Sequence, residues 1–299
     1  MVSTIPKIPF IDIQISEPEA DYALLDSGGG LKLEQFGQYR LIRPEPEAFW
    51  KPALSKDDWN SANAEYISGS GENQGHWSFK QPFPEKWIVK YSNLSFFIER
   101  SASRHVGIFP EQAPQWDFIR TKLSGLKRQA TVLNLFGYTG AATIAAAQAG
   151  AAVTHVDASK RALAWAKENQ HISGLADAPI RWIVDDAFKF VQREIRRANR
   201  YDGLILDPPK FGRGPKGEVW EFYKVLPALL ENCRELLSKD AVFVILTAYA
   251  VKASSISLYE AMNSYFSSKA GKIICGELVQ REKAAGRLLP RAIYALWQK

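Results

Sequence analysis

The order of residues 131–150 constrains the fold of this 299-residue chain more than any other stretch. Thr131-Val-Leu-Asn-Leu-Phe136 is a short apolar run, as expected of a strand buried on both faces in a parallel sheet. Gly137-Tyr-Thr-Gly140 breaks it. A small-residue helix is predicted over 141–148, able to pack tightly on a sheet, and Gly150 is placed to end it. Strand, glycine turn and helix in this order form the ligand-binding corner of a doubly wound α/β sheet.

Three further strand ends carry polar residues. Ala151-Ala-Val-Thr-His-Val-Asp157 puts an acid 17 residues after Gly140. At the tip of a second strand, such an acid accepts bonds from ribose hydroxyls or caps the following helix, read over 159–171. Ile180-Arg-Trp-Ile-Val-Asp-Asp186 ends in paired acids. Asp186, with Ala187, is placed to meet the amine of an adenine or to N-cap its own helix. Tyr201-Asp-Gly-Leu-Ile-Leu-Asp-Pro-Pro-Lys-Phe211 must leave its strand at Asp207, because two prolines cannot continue a central strand. The prolines stiffen the exit and present carbonyls without adjacent donors. Asp207 and these carbonyls suit an amino group, and Phe211 suits a planar ring. A rigid strand-exit turn is the simpler alternative. The glycines do not read G-x-G-x-x-G, the turn that a dinucleotide pyrophosphate needs. A ligand without phosphate, such as S-adenosylmethionine (SAM), fits this loop better.

The runs N-L-F-G-Y-T-G, H-V-D-A-S and D-P-P-K-F-G-R-G resemble the class I SAM-dependent methyltransferases. More closely, they resemble the bacterial large-subunit ribosomal-RNA methyltransferase group, which includes 5-methylcytosine and guanine enzymes. His105-Val-Gly-Ile-Phe-Pro-Glu-Gln112 is similar to that group's segment lying over the cofactor. The likeness runs from about residue 104 to about 255. It implies that Asn134, Phe136, Gly137, Tyr138 and Gly140 line the methionine end of SAM. It places Asp157 at the ribose, with Ala158 and Ser159 around it, and Asp186 and Ala187 at the adenine. Phe109, Glu111 and Gln112 would close the pocket. Asp207, Pro208 and Pro209 would sit between the methyl group and its acceptor. The cytosine-C5 members carry a nucleophilic cysteine at the end of the fifth strand. Phe243-Val-Ile-Leu-Thr-Ala-Tyr-Ala250 has none there, and Cys233 and Cys275 read as buried structural thiols. Transfer to a nitrogen or another nucleophilic atom needs no covalent step.

Residues 1–108 are rich in Trp, Pro, Gly and short alternating runs, and read as a small β-rich domain. A hairpin is expected around residues 27–30, with strands at 38–43, 87–91 and 94–99. Trp50, Trp59, Trp77 and Trp87 are expected in its core. From 109 to 299 strands and helices alternate, as in a mostly parallel sheet covered on both faces. A leading helix is expected over 110–128, and a long helix over 218–238 kinked near Pro227. Residues 272–279 and 291–297 should form a terminal antiparallel hairpin at the sheet edge, which is typical of the class I methyltransferase fold.

Two cysteines exclude a disulfide framework and fit a reducing compartment. The four histidines have no metal-ligand spacing, so no metal is expected. Residues 1–10 lack an apolar core of signal length and no stretch reaches the length of a membrane span, so the chain reads as cytoplasmic. A net charge of +6 permits nucleic-acid binding. Arg193, Arg196, Arg197 and Arg200 share one helical face opposite Phe188, Val191, Ile195 and Ala198, which suits a solvated face more than a phosphate track. Lys210 and Arg213, beside Asp207, are the better substrate contacts, followed by Arg281, Lys283, Arg287 and Arg291. The partner expected is RNA, ribosomal RNA first. A protein or small-molecule methyltransferase, a dehydrogenase on the same sheet and a silent SAM- or RNA-binding module are the competing readings.

Overall fold

The computed structural model describes residues 10–69, 75–82, 84–101 and 103–299. The reading of residues 1–9 as free of a signal segment lies outside them. Strand β1 (Ile11–Ser16) is followed by β2 (Tyr22–Gly28), β3 (Leu31–Phe36), β4 (Tyr39–Pro44), helix α1 (Lys56–Asn60), β5 (Ala64–Ser68) and β6 (Gly75–Phe79). The hairpin of β7 (Lys86–Tyr91) and β8 (Leu94–Glu99) comes next. Gly29 and Gly30, both at positive φ, turn β2 into β3. Ser92 and Asn93 do the same between β7 and β8 at φ of 51° and 58°, the left-handed pair that a two-residue hairpin requires. Strands β2 to β6 form one five-stranded sheet in sequence order.

A 3-10 turn, Pro110–Gln112, leads into α2 (Ala113–Ser124), then β9 (Thr131–Leu135), α3 (Ala141–Gln148), β10 (Ala152–Asp157), α4 (Lys160–Ile172), β11 (Ile180–Val184) and α5 (Ala187–Arg196). After β12 (Gly203–Leu206), a short ribbon of β13 (Phe211–Arg213) and β14 (Val219–Glu221) precedes α6 (Phe222–Glu235), β15 (Phe243–Ala248), α7 (Ser255–Phe266), β16 (Lys272–Arg281) and β17 (Leu288–Gln298). The large sheet has the order β1-β16-β17-β15-β12-β9-β10-β11. It is parallel except for β17, which is antiparallel to both neighbours. The chain winds outward from β9 to β11 and returns to the other side of β9 at β12, which puts the topological switch at the carboxyl ends of β9 and β12. Helices α5, α6 and α7 bury Phe190, Leu229 and Met262 against one face. Helices α2 and α3 bury Ile119, Leu123 and Ala146 against the other.

Two expectations are corrected. The stretch 218–238 is not one helix: Val219–Glu221 pair with Phe211–Arg213, so α6 starts only at Phe222 and runs on through Pro227. The terminal hairpin is not at the sheet edge, because β1 adds in parallel beside β16. Gly276 permits that approach, since a Cβ there would lie 1.7 Å from the Asp12 carbonyl oxygen. The Tyr294 hydroxyl donates to Asp12 across the seam at 2.5 Å.

Contacts also cross residue 108. One core cluster joins Tyr22, Phe36, Val89 and Phe96 to Trp116 of α2 and Ile144 of α3. A buried set of charges does the same: Lys32 and Glu34 of β3, Arg43 of β4 and Glu45 meet Arg291 of β17 and Glu111 of the 3-10 turn. Burial opposes the charge on Glu34, yet Arg43, Lys32 and Arg291 hold its carboxyl down to about 2. Burial pulls Lys32 well below its usual range and Arg291 to about 10. The division at about residue 108 is kept as a proposal about chain organisation, with β1 an element of the first part that sits in the large sheet.

Candidate active site

A cleft of about 740 Å³ opens at the switch point. Its floor is the loop after β9. Phe136 and Tyr138 take positive φ, 59° and 49°, an unusual state for aromatic residues that must be held from outside. The Gly137 amide donates to Val156 at 3.1 Å and the Tyr138 amide to Asp157 at 2.8 Å. Asn169 donates to the Thr139 carbonyl at 3.0 Å, and the Thr139 hydroxyl donates to the Gly107 carbonyl. Gly137 is required by packing, since a Cβ there would fall 2.3 Å from the His155 ring.

Asp157 lies between two amides, accepting from Tyr138 and from Ser159, each at 2.8 Å. Burial raises its pKa. Its carboxylate shapes the loop while facing the cleft, and Ser159, not Asp157, caps α4 by accepting from Ala162 at 3.2 Å. Asp186 does cap α5, accepting from Lys189 at 2.9 Å, and still lines the cleft. The adjacent Asp185 is ion-paired with Arg193.

On the far side of the switch, Asp207 accepts from Gln112 Nε2 at 2.7 Å. Burial, partly offset by that bond, pushes its pKa up to about 6. The Pro209 carbonyl accepts from Trp220 Nε1 at 2.6 Å, and the Trp220 ring packs on Phe136 at 4.8 Å. The β13–β14 ribbon thereby leans on the cofactor loop, with Lys189 of α5 paired to its Glu218 at 2.7 Å. Lys210, Phe211 and Arg213 are exposed on that ribbon at the cleft.

The cleft brings together Phe109, Glu111, Gln112, Phe136, Tyr138, Asp157, Ala158, Asp186, Ala187, Asp207, Pro208, Pro209, Lys210, Phe211 and Arg213 of the expected residues. Asn134, Gly137, Gly140 and Ser159 do not line it. Asn134 is buried and donates to Thr143, which in turn bonds His155, so it supports the loop from beneath. Gly140 opens α3 against Ala166. His105, which opens the segment read as lying over the cofactor, also lines the cleft, and sequence reasoning missed Arg104, Trp220, Tyr249 and Ala292 there. Trp220 was hidden by reading its strand as helix. Tyr249, just past the end of β15, had its position as a signal. Cys233 and Cys275 are both buried, in α6 and β16, and neither lines the cleft.

Of the basic tail, Lys283 is exposed, and the three arginines are ion-paired within the chain. Arg281 pairs with Glu17, Arg287 with Asp26 and Glu282, and Arg291 with Glu45, so these cations lock the β16–β17 turn and strand to the N-terminal part. On α5, Arg197 pairs with Glu194 at 2.9 Å. The buried side there carries Glu194 rather than Ala198, which is exposed beyond the helix end.

The cleft suits a cationic cofactor. The ends of β9, β10 and β11 contribute Phe136, Tyr138, Asp157, Asp185 and Asp186, rings and acids without a basic residue. Asp185 is already paired with Arg193, but a pyrophosphate would still face the carboxyls of Asp157 and Asp186, whereas a sulfonium and an ammonium are favoured. Among the described residues no helix is long and apolar enough to cross a membrane.

Residues 70–252 match the family model for S-adenosylmethionine-dependent methyltransferases. A crystal structure described as the SAM dependent methyltransferase from Agrobacterium tumefaciens shares 46% identity and a TM-score of 0.92, covering 96% of this chain and 93% of that one. A putative SAM-dependent methyltransferase from Streptococcus mutans shares the fold at 20% identity and TM-score 0.71, over 93% of this chain and 76% of that one. Among curated relatives, ribosomal RNA large subunit methyltransferase K/L of Hahella chejuensis is 34% identical over 158 residues, 52% of this chain and 21% of its own length. Ribosomal RNA large subunit methyltransferase K of Neisseria meningitidis is 32% identical over 160 residues, 53% of this chain and 44% of its length. The match thus spans less than half the length of these relatives. With the family matched over more than half the chain, and a cleft polarised as its cofactor requires, the protein is an S-adenosylmethionine-dependent methyltransferase.

Proposed function

We propose that the chain methylates RNA, ribosomal RNA first, at a nitrogen or another atom already nucleophilic, without a cysteine nucleophile. Asp207 carries this reading. It is an acid at the exit of β12, held by Gln112, with two prolines behind it and a pKa raised to about 6. SAM supplies an electrophilic methyl group. Asp207 would accept an N–H of the acceptor, orient its lone pair toward the methyl group and take up the proton that the nitrogen gives up on methylation. The burial of both cysteines away from the cleft supports a direct transfer. The names of the relatives, which act on large-subunit ribosomal RNA, support the choice of acceptor.

As the site reading, Asp157 holds the ribose, Ala158 lies beside it, and Asp186 with Ala187 meets the adenine. Phe136 and Tyr138 flank the methionine end, and Phe109, Glu111 and Gln112 cover it. Lys210 and Arg213 meet the RNA backbone outside, and Phe211 stacks on a base. The test is transfer of labelled methyl from SAM into ribosomal RNA, transfer RNA, DNA, protein and metabolites from cells lacking the gene, with Asp207→Ala as control. Label in ribosomal RNA that requires Asp207 supports the proposal. Label only in protein or metabolites overturns the acceptor.

A further inference from the structure

The cleft has two unlike halves. The β9–β11 side is acidic and aromatic, as described above. The opposite side, built by residues 104–112 and the ends of β12, β15 and β17, carries the carboxyls of Glu111 and Asp207, the rings of His105, Phe109 and Tyr249, and the guanidinium of Arg104. Among the described residues no carboxylate lies within ion-pair distance of Arg104. Its guanidinium is held instead by a neutral group: Nη2 donates to the Tyr249 hydroxyl at 2.6 Å. Its backbone is fixed as well, because Arg43 donates to the Arg104 carbonyl at 3.0 Å while bound to buried Glu34. The next residue, His105, packs against Phe109 at 5.3 Å. Burial, then the nearby cations Arg43, Arg104 and Lys32, push its pKa down to about 3, so it stays neutral and adds no second positive charge beside Arg104.

A half-buried guanidinium with spare donors and no carboxylate, in a functional cleft, is a site for an oxygen of the bound molecule. In the site reading above, the ribose and adenine lie at β10 and β11 and the methionine end at the loop after β9. Tyr249, which holds Arg104, follows β15, and β12 separates that strand from β9, so an oxygen met there belongs to the acceptor. We propose that Arg104 is an acceptor-contacting residue. Its guanidinium binds an oxygen of the nucleotide being methylated, either a ring carbonyl or its phosphate, opposite the N–H held by Asp207. Tyr249 and Arg43 are its positioning residues. This inference rests on the RNA reading above.

The experiment measures transfer into ribosomal RNA from cells lacking the gene, with KM for RNA, and SAM affinity by equilibrium binding. The variants are Arg104→Ala, Arg104→Lys and Tyr249→Phe. Loss of a charged hydrogen bond predicts a rise in RNA KM of about tenfold or more for Arg104→Ala, with SAM affinity unchanged within about twofold. Tyr249→Phe, which keeps the ring, shows a smaller rise in the same parameter and serves if Arg104→Ala melts early. Arg104→Lys restores little, because a point charge does not replace the fork. A phosphate contact lowers the salt slope of RNA binding by about one in Arg104→Ala, and a carbonyl contact leaves it unchanged. Equal loss of SAM affinity, or wild-type kinetics in Arg104→Ala and Tyr249→Phe, overturns the inference alone. No label in RNA from the wild-type protein overturns the RNA reading and this inference with it.

Discussion

Replacing Asp207 with asparagine should make this protein more stable and inactive at once. The carboxyl sits at the exit of β12 with Gln112 as its one side-chain partner, and burial raises its pKa from an ordinary 3.8 to about 6. That difference corresponds to about 3 kcal/mol between the charged and neutral forms. The side chain keeps part of its surface open to the cleft, where water screens the charge, so about 2 kcal/mol is the expected cost. The folded protein binds this proton more tightly than the unfolded chain does. Its stability therefore falls as pH rises from about 4 to about 6, and the full cost is present above about 6. Asparagine still accepts from Gln112 and does not titrate. Urea unfolding without SAM, from pH 4.5 to 8, should show Asp207→Asn ahead by about 2 kcal/mol at pH 7.5 and converging with wild type near pH 4. In wild type, methyl transfer should rise with pH through a midpoint near 6 as the acid ionises. A stability difference that is independent of pH, or a wild type more stable than the variant at pH 7.5, would refute the reasoning.

Other perturbations test the frame around the site. Arg291→Ala leaves Glu111 buried without its ion pair and Glu45 with Lys32 alone, and should cost about 3 kcal/mol in denaturant unfolding. Gly276→Ala puts a Cβ into the Asp12 carbonyl, so hydrogen exchange at residues 11–16 should accelerate strongly while β9 and β12 stay protected. Gly137→Ala drives a methyl into the His155 ring and should destabilise by about 1–3 kcal/mol, read as a lowered melting temperature. Asp157→Asn should weaken SAM binding by about tenfold or more in calorimetry, since it loses a charged acceptor for the ribose and loosens the Tyr138 amide. Unchanged SAM affinity would remove Asp157 from the cofactor site.

Local chemistry made much of this molecule legible. The glycine turn at 137–140, the acids ending β10 and β11, and the proline pair after Asp207 each restrict backbone geometry within a few residues, and the cleft forms where those strand ends meet. Asn134 lies behind the cleft lining because its motif position marks a loop that needs support, and its amide turns inward to Thr143. Trp220 was lost because Val219-Trp-Glu221 scores as helix or strand alike, and pairing with Phe211–Arg213 decided it.

The sequence by itself determined the doubly wound sheet, the family and the acids at the ends of β10, β11 and β12 that line the cleft, because apolar periodicity, glycine and proline act locally. Tertiary structure alone decided where the long-range partners fell. Only there does β1 join the sheet beside Gly276, and only there do Arg281, Arg287 and Arg291 find Glu17, Asp26, Glu282 and Glu45 as ion-pair partners. Arg104, more than a hundred residues before Tyr249, acquires its place for the same reason: a charged side chain's role is set by which groups lie within a few ångströms after folding, here the neutral Tyr249 hydroxyl, and sequence distance does not encode that.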